Sequence, residues 1–223
     1  GVAHRTSPTN IGLMLLSTLA ARDMGFIDTD EMLDRLGKTI RTVENLQKWN
    51  GHLYNWYDTI TLEPLRPLYV STVDSGNLAG YLITLKHGIL EYTCKQPEEE
   101  DNLEARGREL VERISNILQD MDFKPLYDEK LHLFAIGYSV SEERLDNSYY
   151  DLLASEARQA SFVAIAMGQV PQKHWFRMNR PFTMANDSRC LVSWSGTMFE
   201  YLMPLLIIKN FEYTLLDETY EAV

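Results

Sequence analysis

Glu156 is the strongest candidate for a catalytic residue in this sequence, because of its residue type and its position. The spacing of apolar residues predicts a helix over 147–167, and on its helical wheel Glu156 falls within the apolar stripe while Arg158 falls on the opposite face. A carboxylate that faces a core requires a hydrogen bond, a counter-ion or a wet pocket, because its dehydration is costly. Two interpretations remain open: acid/base or nucleophilic catalysis, and a structural ion pair with an arginine of a neighbouring helix.

Two further carboxylates have a structural interpretation beside the functional one. Thr197 and Glu200 have the spacing of a capping box, which favours a cap over a second catalytic acid. Asp74 lies at the expected start of a helix, next to Ser75, Gly76 and Asn77. A ligand could approach closely there, but Asp and Ser are also ordinary caps, and capping is the preferred interpretation.

Aromatic residues concentrate in a segment, 51–75, that is rich in prolines and short polar steps. We predict a long irregular loop there, and we interpret it as a binding surface. Sugar-binding sites typically combine the flat apolar faces of aromatic rings with nearby polar groups, although a single aromatic residue is more often part of a core. The candidate binding residues are Tyr54, Asn55, Trp56, Tyr57, Asp58, Asn77, Trp175, Arg177 and Trp194, together with Asp74 and Glu200.

Composition and motifs exclude several other functions. The net charge of −11 and the lack of a basic cluster argue against nucleic acid as a partner. The five histidines lack metal-binding spacing, and neither a phosphate-binding glycine loop nor a nucleophile elbow is present, so we predict no cofactor. No apolar run reaches the roughly 20 residues of a membrane span. Cys94 and Cys190 suit a reducing compartment, although one disulfide between them stays open.

The elements that must position these residues are mainly helices. Caps and apolar periodicity predict six helices, a small β-hairpin within 123–140 and a solvated acidic loop at 97–101. The predicted helices cover about 8–24, 29–46, 76–93, 103–121, 147–167 and 197–209. Helices in sequence, joined alternately by short turns and long loops, favour stacked helical hairpins. We therefore expect a mainly all-α fold, an α/α toroid or part of one.

Five motifs together resemble one known family. They lie at residues 5–12, 54–58, 69–80, 149–158 and 193–204, in the order of that family, and the resemblance extends over essentially the whole chain. The chain resembles the glucoamylase-like middle region of cyclic β-1,2-glucan synthases. The resemblance implies a large synthase embedded in the bacterial inner membrane. In it, a glycosyltransferase part makes linear β-1,2-glucan, and this helical module, on the cytoplasmic face and itself soluble, closes rings by retaining transglycosylation.

The resemblance also implies that Glu156 is one of two catalytic glutamates. Its partner lies in a Gly-Ile-Ser-Glu-Ser motif that the sequence to Val223 does not contain. A retaining enzyme needs both carboxyl groups about 5–5.5 Å apart, so we expect the chain to be inactive alone. Six helices, where a toroid has about 12, and a first residue other than Met lead us to expect one partial domain over 1–223, the N-terminal portion of a larger module.

The expected partners are a β-1,2-glucan chain and the remainder of the parent synthase. A partial module would expose apolar helix faces, so we also expect self-association of the chain. Two alternatives stay open: a relative that hydrolyses β-1,2-glucan, and a non-catalytic region that binds or scaffolds the glucan.

Overall fold

The computed structural model describes residues 3–94, 101–185 and 187–223. The chain divides into two compact units: Gly1–Val70 with Leu78–Asp122, and Ser71–Asn77 with Phe123–Val223. Helices contain many more residues than the strands, which are short, and this confirms the predicted fold class. The organisation as one partial domain stays a prediction. Most of the expected acidic loop, residues 97–100, lies outside the described residues.

The first unit contains the helices that the sequence predicts best. Helix α1 is Pro8–Asp23, and α2 is Thr29–Asn45. Ser7 caps α1 by accepting a hydrogen bond from the Asn10 amide, and the Asp28 carboxylate caps α2 by accepting one from the Glu31 amide. The other helices with residues in this unit are α3 (Thr72–Thr93) and α4 (Asp101–Asp120).

The predicted loop at 51–75 is wrong in part, because three short strands lie within it and helix α3 already begins at Thr72. The strands of this part of the chain are β1 (Arg5–Thr6), β2 (Lys48–Trp49), β3 (His52–Leu53), β4 (Tyr57–Asp58) and β5 (Tyr69–Ser71). Strand β1 pairs with β4, and β2 pairs with β3. The β2–β3 turn requires Gly51, because its φ is +77° and a Cβ at this position would lie 1.9 Å from the Asp120 carbonyl oxygen.

Helix α3 starts four residues earlier than predicted. The Ser71 hydroxyl accepts a hydrogen bond from the Asp74 amide at 3.3 Å, so Ser71 is the cap. The expectation that Asp74 and Ser75 cap this helix is therefore wrong, since both lie within its first turns. Three polar residues close together obscured the boundary, because each of them is an acceptable cap.

The second unit combines short helices with antiparallel strand pairs. A pair within the predicted hairpin, β6 (Tyr127–Asp128) with β7 (Leu133–Phe134), confirms that prediction. Further pairs are β8 (Gly137–Ser139) with β9 (Arg144–Leu145), and β10 (Phe182–Ala185) with β11 (Ser188–Leu191). The helices are α5 (Arg158–Ala166), α6 (Lys173–Arg177), α7 (Met198–Leu202) and α8 (Leu215–Ala222).

Two predicted helices are shorter in the structure. The helix expected over 147–167 is present only as α5, and residues 152–157 form turns instead. The helix expected over 197–209 ends at Leu202 and continues as one 3-10 turn, Met203–Leu206, where Pro204 cannot extend the hydrogen-bond ladder. The pair β10–β11 and helices α6 and α8 had no clear signal in the sequence.

A small apolar core holds the second unit together. Its buried members are Leu152, Leu153, Met178 and Leu191, with Trp175 and Leu215 among the partly buried residues that pack against them.

Cys94 and Cys190 are both free thiols. Among the described helices, none has the length and apolarity needed to cross a membrane.

Candidate active site around Glu156

Glu156 lies on a tight turn immediately before helix α5. The Ala157 amide donates to the Ala154 carbonyl at 3.2 Å, and the Gln159 amide donates to the Glu156 carbonyl at 3.1 Å. Ser155 adopts a φ of +48°, in the left-handed region that non-glycine residues rarely occupy. The side chain of Glu156 is therefore oriented by a fixed turn, and a helical wheel drawn over 147–167 does not describe its position.

The carboxylate of Glu156 is buried and is held by neutral donors. Only 5% of the residue is exposed. Its Oε1 accepts a hydrogen bond from Asn77 Nδ2 at 2.9 Å, and its Oε2 accepts one from the Ser155 hydroxyl. Within the described part of the chain no lysine or arginine forms an ion pair with Glu156. The geometry thus contradicts the alternative of a structural ion pair.

Asn77 reaches Glu156 because the beginning of α3 packs closely on α5. A Cβ on Gly76 would lie 2.2 Å from the Cβ of Ala160 and 2.3 Å from its Cα. Such an approach is possible only for glycine opposite a small residue. Asn77 follows Gly76 directly in α3, so the close contact brings its fully buried side chain to the Glu156 carboxylate.

Glu200 is a second buried carboxylate, and it performs the capping role that the sequence favours. It forms a capping box with Thr197 at the start of α7. Its Oε2 accepts hydrogen bonds from the Ser195 amide at 3.0 Å and from the Ser195 hydroxyl at 2.7 Å, and its Oε1 accepts one from the Ser155 amide at 3.0 Å. A role of Glu200 in contacting substrate stays a prediction.

The pKa of Glu200 follows from these donors. Burial by itself raises the pKa of this carboxyl. Hydrogen bonds from the hydroxyls of Ser195 and Ser193 and from the amides of Ser155 and Ser195 outweigh burial and lower the pKa to about 2. Glu200 therefore stays ionised near neutral pH.

Arg158 is buried, so its predicted place on the exposed face is wrong. Only 2% of the residue is exposed. Its guanidinium donates to the carbonyls of Glu200 at 3.0 Å and Tyr201 at 2.8 Å, and to the Tyr220 hydroxyl at 3.1 Å. It thereby satisfies carbonyls of the last turn of α7. The prediction failed because it extended one helix through residues that form a turn.

The aromatic segment 54–58 belongs to the first unit and is ordered by its own contacts. Tyr54 and Tyr57 are buried, and the Tyr57 hydroxyl accepts from the Tyr54 amide at 2.8 Å and donates to the Gln47 carbonyl at 2.6 Å. Burial raises the pKa of Tyr57. The expectation that these two rings form an open binding surface is corrected here, since both pack in the core.

Trp56, Asn55 and Asp58 are only partly buried. The Arg5 guanidinium lies 4.6 Å from the centre of the Trp56 ring, a cation–π contact. The Asn55 amide donates to the Tyr69 carbonyl. Asp58 accepts from the amides of Ile60 and Thr61, and these hydrogen bonds lower its pKa. Asp58 thus stabilises a turn, and glucan contacts of these three residues stay predictions.

The other predicted binding residues lie in the second unit. Trp194 is half exposed and donates its indole N–H to Asp151 at 3.2 Å, with its ring tilted over Tyr150. Trp175 is partly buried on α6, and Arg177 is exposed at the end of the same helix. Asp74 is partly buried in the first turn of α3.

Trp175 lines a cavity of about 320 Å³ in the second unit. The residues around this cavity combine aromatic rings with hydrogen-bond donors, and they include Phe162, Arg158, Arg180, Asn210 and Tyr220. Arg158 is shared by this lining and the contacts of Glu200, whereas Glu156 is not part of the lining. Aromatic rings beside amide and guanidinium groups make the cavity a candidate site for a sugar.

Sequence reasoning missed two residues of this site. Ser155 contacts both carboxylates, and Arg158 anchors α7, but a helical wheel gave neither a role. Their only signal was membership in the fourth family motif, residues 149–158. Among the described residues no group of three or more His, Cys, Asp or Glu side chains could hold a metal ion.

Comparison with known proteins gives one relative in sequence and several in fold. No family model matches the chain. It is 31% identical over 336 aligned positions to the cyclic β-(1,2)-glucan synthase NdvB of Rhizobium meliloti strain 1021, and the match covers all of this chain. The chain spans only 12% of that synthase.

Solved structures share the fold at low sequence identity. A glucoamylase-like protein from Bacteroides uniformis has a TM-score of 0.79 at 11% identity, covering all of this chain and 56% of that protein. An endo-β-1,2-glucanase from Chitinophaga pinensis, solved with sophorotriose and glucose, has a TM-score of 0.75 at 13% identity, covering 97% of this chain and 54% of that enzyme. The chain thus corresponds to about half of each helical neighbour.

Proposed function

The chain is a relative of cyclic β-(1,2)-glucan synthases over its whole length, and on this premise we propose that Glu156 is a catalytic carboxylate for retaining transglycosylation of β-1,2-glucan. In a retaining reaction one carboxylate forms a covalent glycosyl intermediate, and the other transfers the proton. A hydroxyl group of the same glucan chain then attacks the intermediate in place of water. The glycosidic bond that breaks releases the reducing-end part of the chain as a shorter linear glucan, and the bond that forms closes the remaining part into a ring.

The hydrogen-bond partners of the Glu156 carboxylate carry this proposal. A structural carboxylate in a core is normally matched by a cation or by the donors of a helix cap, as Glu200 is by the capping box at the start of α7. Glu156 instead receives one hydrogen bond on each oxygen, from the neutral groups of Asn77 and Ser155. Neutral donors fix the orientation of the carboxylate without neutralising its charge, as a nucleophile or an acid/base requires.

Glu200 does not supply the second carboxylate of this reaction. Both of its oxygens accept hydrogen bonds from the amide and hydroxyl donors of the cap, which disfavours attack on a sugar, and its lowered pKa of about 2 disfavours the acid/base role. The Gly-Ile-Ser-Glu-Ser motif of the family does not occur in the 223 residues. We therefore include in the proposal that the second carboxylate comes from another part of the parent and that this chain is inactive alone.

Cyclic product formation tests the proposal. A longer polypeptide that contains these residues and the following part of the same protein is incubated with linear β-1,2-glucan, as wild type, as Glu156→Gln and as the control Glu212→Gln. Glu212 is exposed, so the control removes the same charge without touching the site. We expect cyclic product, lighter by one water than a linear chain of the same number of glucose units, from the wild type and the control only. Equal product from Glu156→Gln would remove Glu156 from the mechanism.

The same assay separates transfer from hydrolysis. A hydrolase gives shorter linear chains whose reducing ends increase with time, whereas a transglycosylase gives rings without new reducing ends. The structural neighbour from Chitinophaga pinensis is a β-1,2-glucanase, and its fold is shared over 97% of this chain. Appearance of reducing ends without rings would replace the cyclisation proposal with hydrolysis by the same carboxylate.

The cavity beside Trp175 supports a glucan-binding contribution from the chain itself. Partly buried Trp175, exposed Phe162 and the Asn210 amide give the flat faces and polar tips that pyranose rings require. Calorimetric titration of the chain with β-1,2-glucan oligosaccharides should show binding that Trp175→Ala weakens by at least about tenfold. Unchanged binding in that variant would exclude the cavity as the sugar site.

The proposal extends to the surroundings of the chain. The second unit exposes large apolar side chains, including Phe176, Phe182 and Tyr213, which supports association of the chain with itself or with the rest of the parent. Sedimentation velocity should show concentration-dependent dimers or larger species, and a monomer at all concentrations would contradict association.

We further propose a parent in the bacterial inner membrane with this segment on the cytoplasmic side. Protease should then cleave the segment in inverted vesicles and spare it in spheroplasts.

A further inference from the structure

Ser155 connects the two buried carboxylates of the second unit. Its amide donates to Glu200 Oε1 at 3.0 Å, and its hydroxyl donates to Glu156 Oε2. One residue therefore contacts a carboxylate that caps a helix and a carboxylate that is proposed to act on glucan. Glu156 and Glu200 are only 5% and 3% exposed, so solvent cannot easily replace these contacts.

The backbone of Ser155 needs support in its observed conformation. A φ of +48° is unfavourable in a non-glycine residue, and this conformation persists only where the surroundings impose it. The Ser155 amide points at the Glu200 carboxylate in this conformation and donates a charge-assisted hydrogen bond to it. Rotation of the backbone to a negative φ would turn the amide and move the hydroxyl that contacts Glu156.

Glu200 is suited to impose this conformation. It is fixed by the Ser195 amide and hydroxyl and by the capping box with Thr197. The Arg158 guanidinium, which donates to the Glu200 carbonyl, fixes the backbone of the same residue. A rigid and ionised acceptor therefore faces the one amide whose orientation sets the hydroxyl on Glu156.

We propose that Glu200 is a positioning residue for Glu156 and acts through Ser155. Its carboxylate holds the Ser155 backbone in the left-handed conformation, and the Ser155 hydroxyl then holds Glu156 Oε2 while Asn77 holds Oε1. This role of Glu200 requires no contact with substrate. Its catalytic consequence rests on the proposed function of Glu156, whereas its structural consequence can be measured on the chain without any activity.

The structural test follows the Ser155 amide by NMR in chain labelled with 15N-serine. The resonance is assigned from its loss in Ser155→Ala. In Glu200→Gln we expect the Ser155 amide proton to shift upfield and to exchange faster with solvent, because the acceptor has lost its charge. Thr197→Val removes a hydroxyl of the same capping box and leaves the Ser155 contact, so this control should leave the Ser155 resonance in place. An unchanged resonance in Glu200→Gln would overturn the proposal.

The catalytic test uses the longer active polypeptide and a double-mutant cycle. Glu200→Gln and Ser155→Ala should each lower kcat by roughly 10- to 100-fold with little change in KM, because a misplaced carboxylate impairs chemistry more than glucan binding. If Glu200 acts through Ser155, the double variant is hardly slower than either single one. Multiplied losses in the double variant would overturn the proposal. If Glu156→Gln retains full activity, the proposed function fails, while the NMR result still decides the positioning role.

Discussion

Asn77 and Glu156 are 79 positions apart in the sequence, and the Asn77 side-chain amide donates a 2.9 Å hydrogen bond to the Glu156 carboxylate. Helix α3 thus contributes directly to the orientation of a carboxylate on the turn before α5. Asn77 lies in the third of the five family motifs and Glu156 in the fourth. Their hydrogen bond gives one physical reason why the two motifs occur together.

Replacement of Asn77 by alanine should destabilise the chain. The substitution leaves one oxygen of a buried carboxylate without its donor, at a cost of about 1–3 kcal/mol. Asn116→Ala, at an exposed position of α4, is the matched control and should change stability by less than about 0.5 kcal/mol. Urea unfolding of both variants measures the difference. Equal stability of the two variants would show that the Asn77–Glu156 bond contributes nothing to folding.

Two glycine-to-alanine substitutions should have opposite signs. Gly76→Ala places a Cβ 2.2 Å from Ala160, which forces α3 and α5 apart and should destabilise the chain by about 1–3 kcal/mol. Gly37 lies within α2 with no atom within 4 Å of an added Cβ. Gly37→Ala should therefore stabilise the chain by about 0.5–1 kcal/mol, because alanine has the higher helix propensity. Thermal unfolding compares the two, and a stabilising Gly76→Ala would contradict the close helix contact.

His52 should make stability depend on pH. It is fully buried, and burial lowers its pKa from the usual 6.5 to about 4, against the raising effect of its hydrogen bond with the Asp122 carbonyl at 2.7 Å. Between pH 6.5 and 4 the unfolded chain therefore binds a proton at this site that the folded chain does not. Its contribution is fully present above pH 6.5 and is lost as pH falls towards 4, by about 3 kcal/mol in total.

The measurement for His52 is urea unfolding at a series of pH values. His52→Gln should flatten the slope of stability against pH in this window, even if it lowers stability at every pH. His87 is exposed in α3 and provides the matched substitution, which should keep the wild-type slope. A wild-type slope in His52→Gln would assign the dependence to other groups.

Local signals in the sequence predict some elements well and others not at all. The Ser7 and Asp28 caps define α1 and α2 to within a residue, because cap and first turn are adjacent in the chain. The turn at Ser155 carries no such signal, since a serine with positive φ is stabilised by Glu200, which is 45 positions away. Apolar residues at helical spacing on both sides then indicated one continuous helix.

The site shows the same division. The capping box of Thr197 and Glu200 was predictable because both partners lie within one turn. The burial of Arg158 was not, because its acceptors are carbonyls of α7 and a hydroxyl of α8 that are remote in sequence. The family motif thus identified residues of the site, whereas the long-range contacts that position them could not be predicted from the sequence.

Arg158 provides the last prediction. Its guanidinium makes three hydrogen bonds, to the carbonyls of Glu200 and Tyr201 and to the Tyr220 hydroxyl, at 2% exposure. A lysine keeps the charge but cannot span these acceptors, because its ammonium is a single point on a flexible stem. We therefore expect Arg158→Lys to cost about 2–4 kcal/mol, through unsatisfied carbonyls and a poorly hydrogen-bonded buried charge. Arg144→Lys, in an exposed ion pair with Glu142, is the control and should cost less than about 1 kcal/mol. Calorimetric unfolding of both variants gives the comparison, and a similarly small effect of Arg158→Lys would mean that the end of α7 does not depend on the guanidinium.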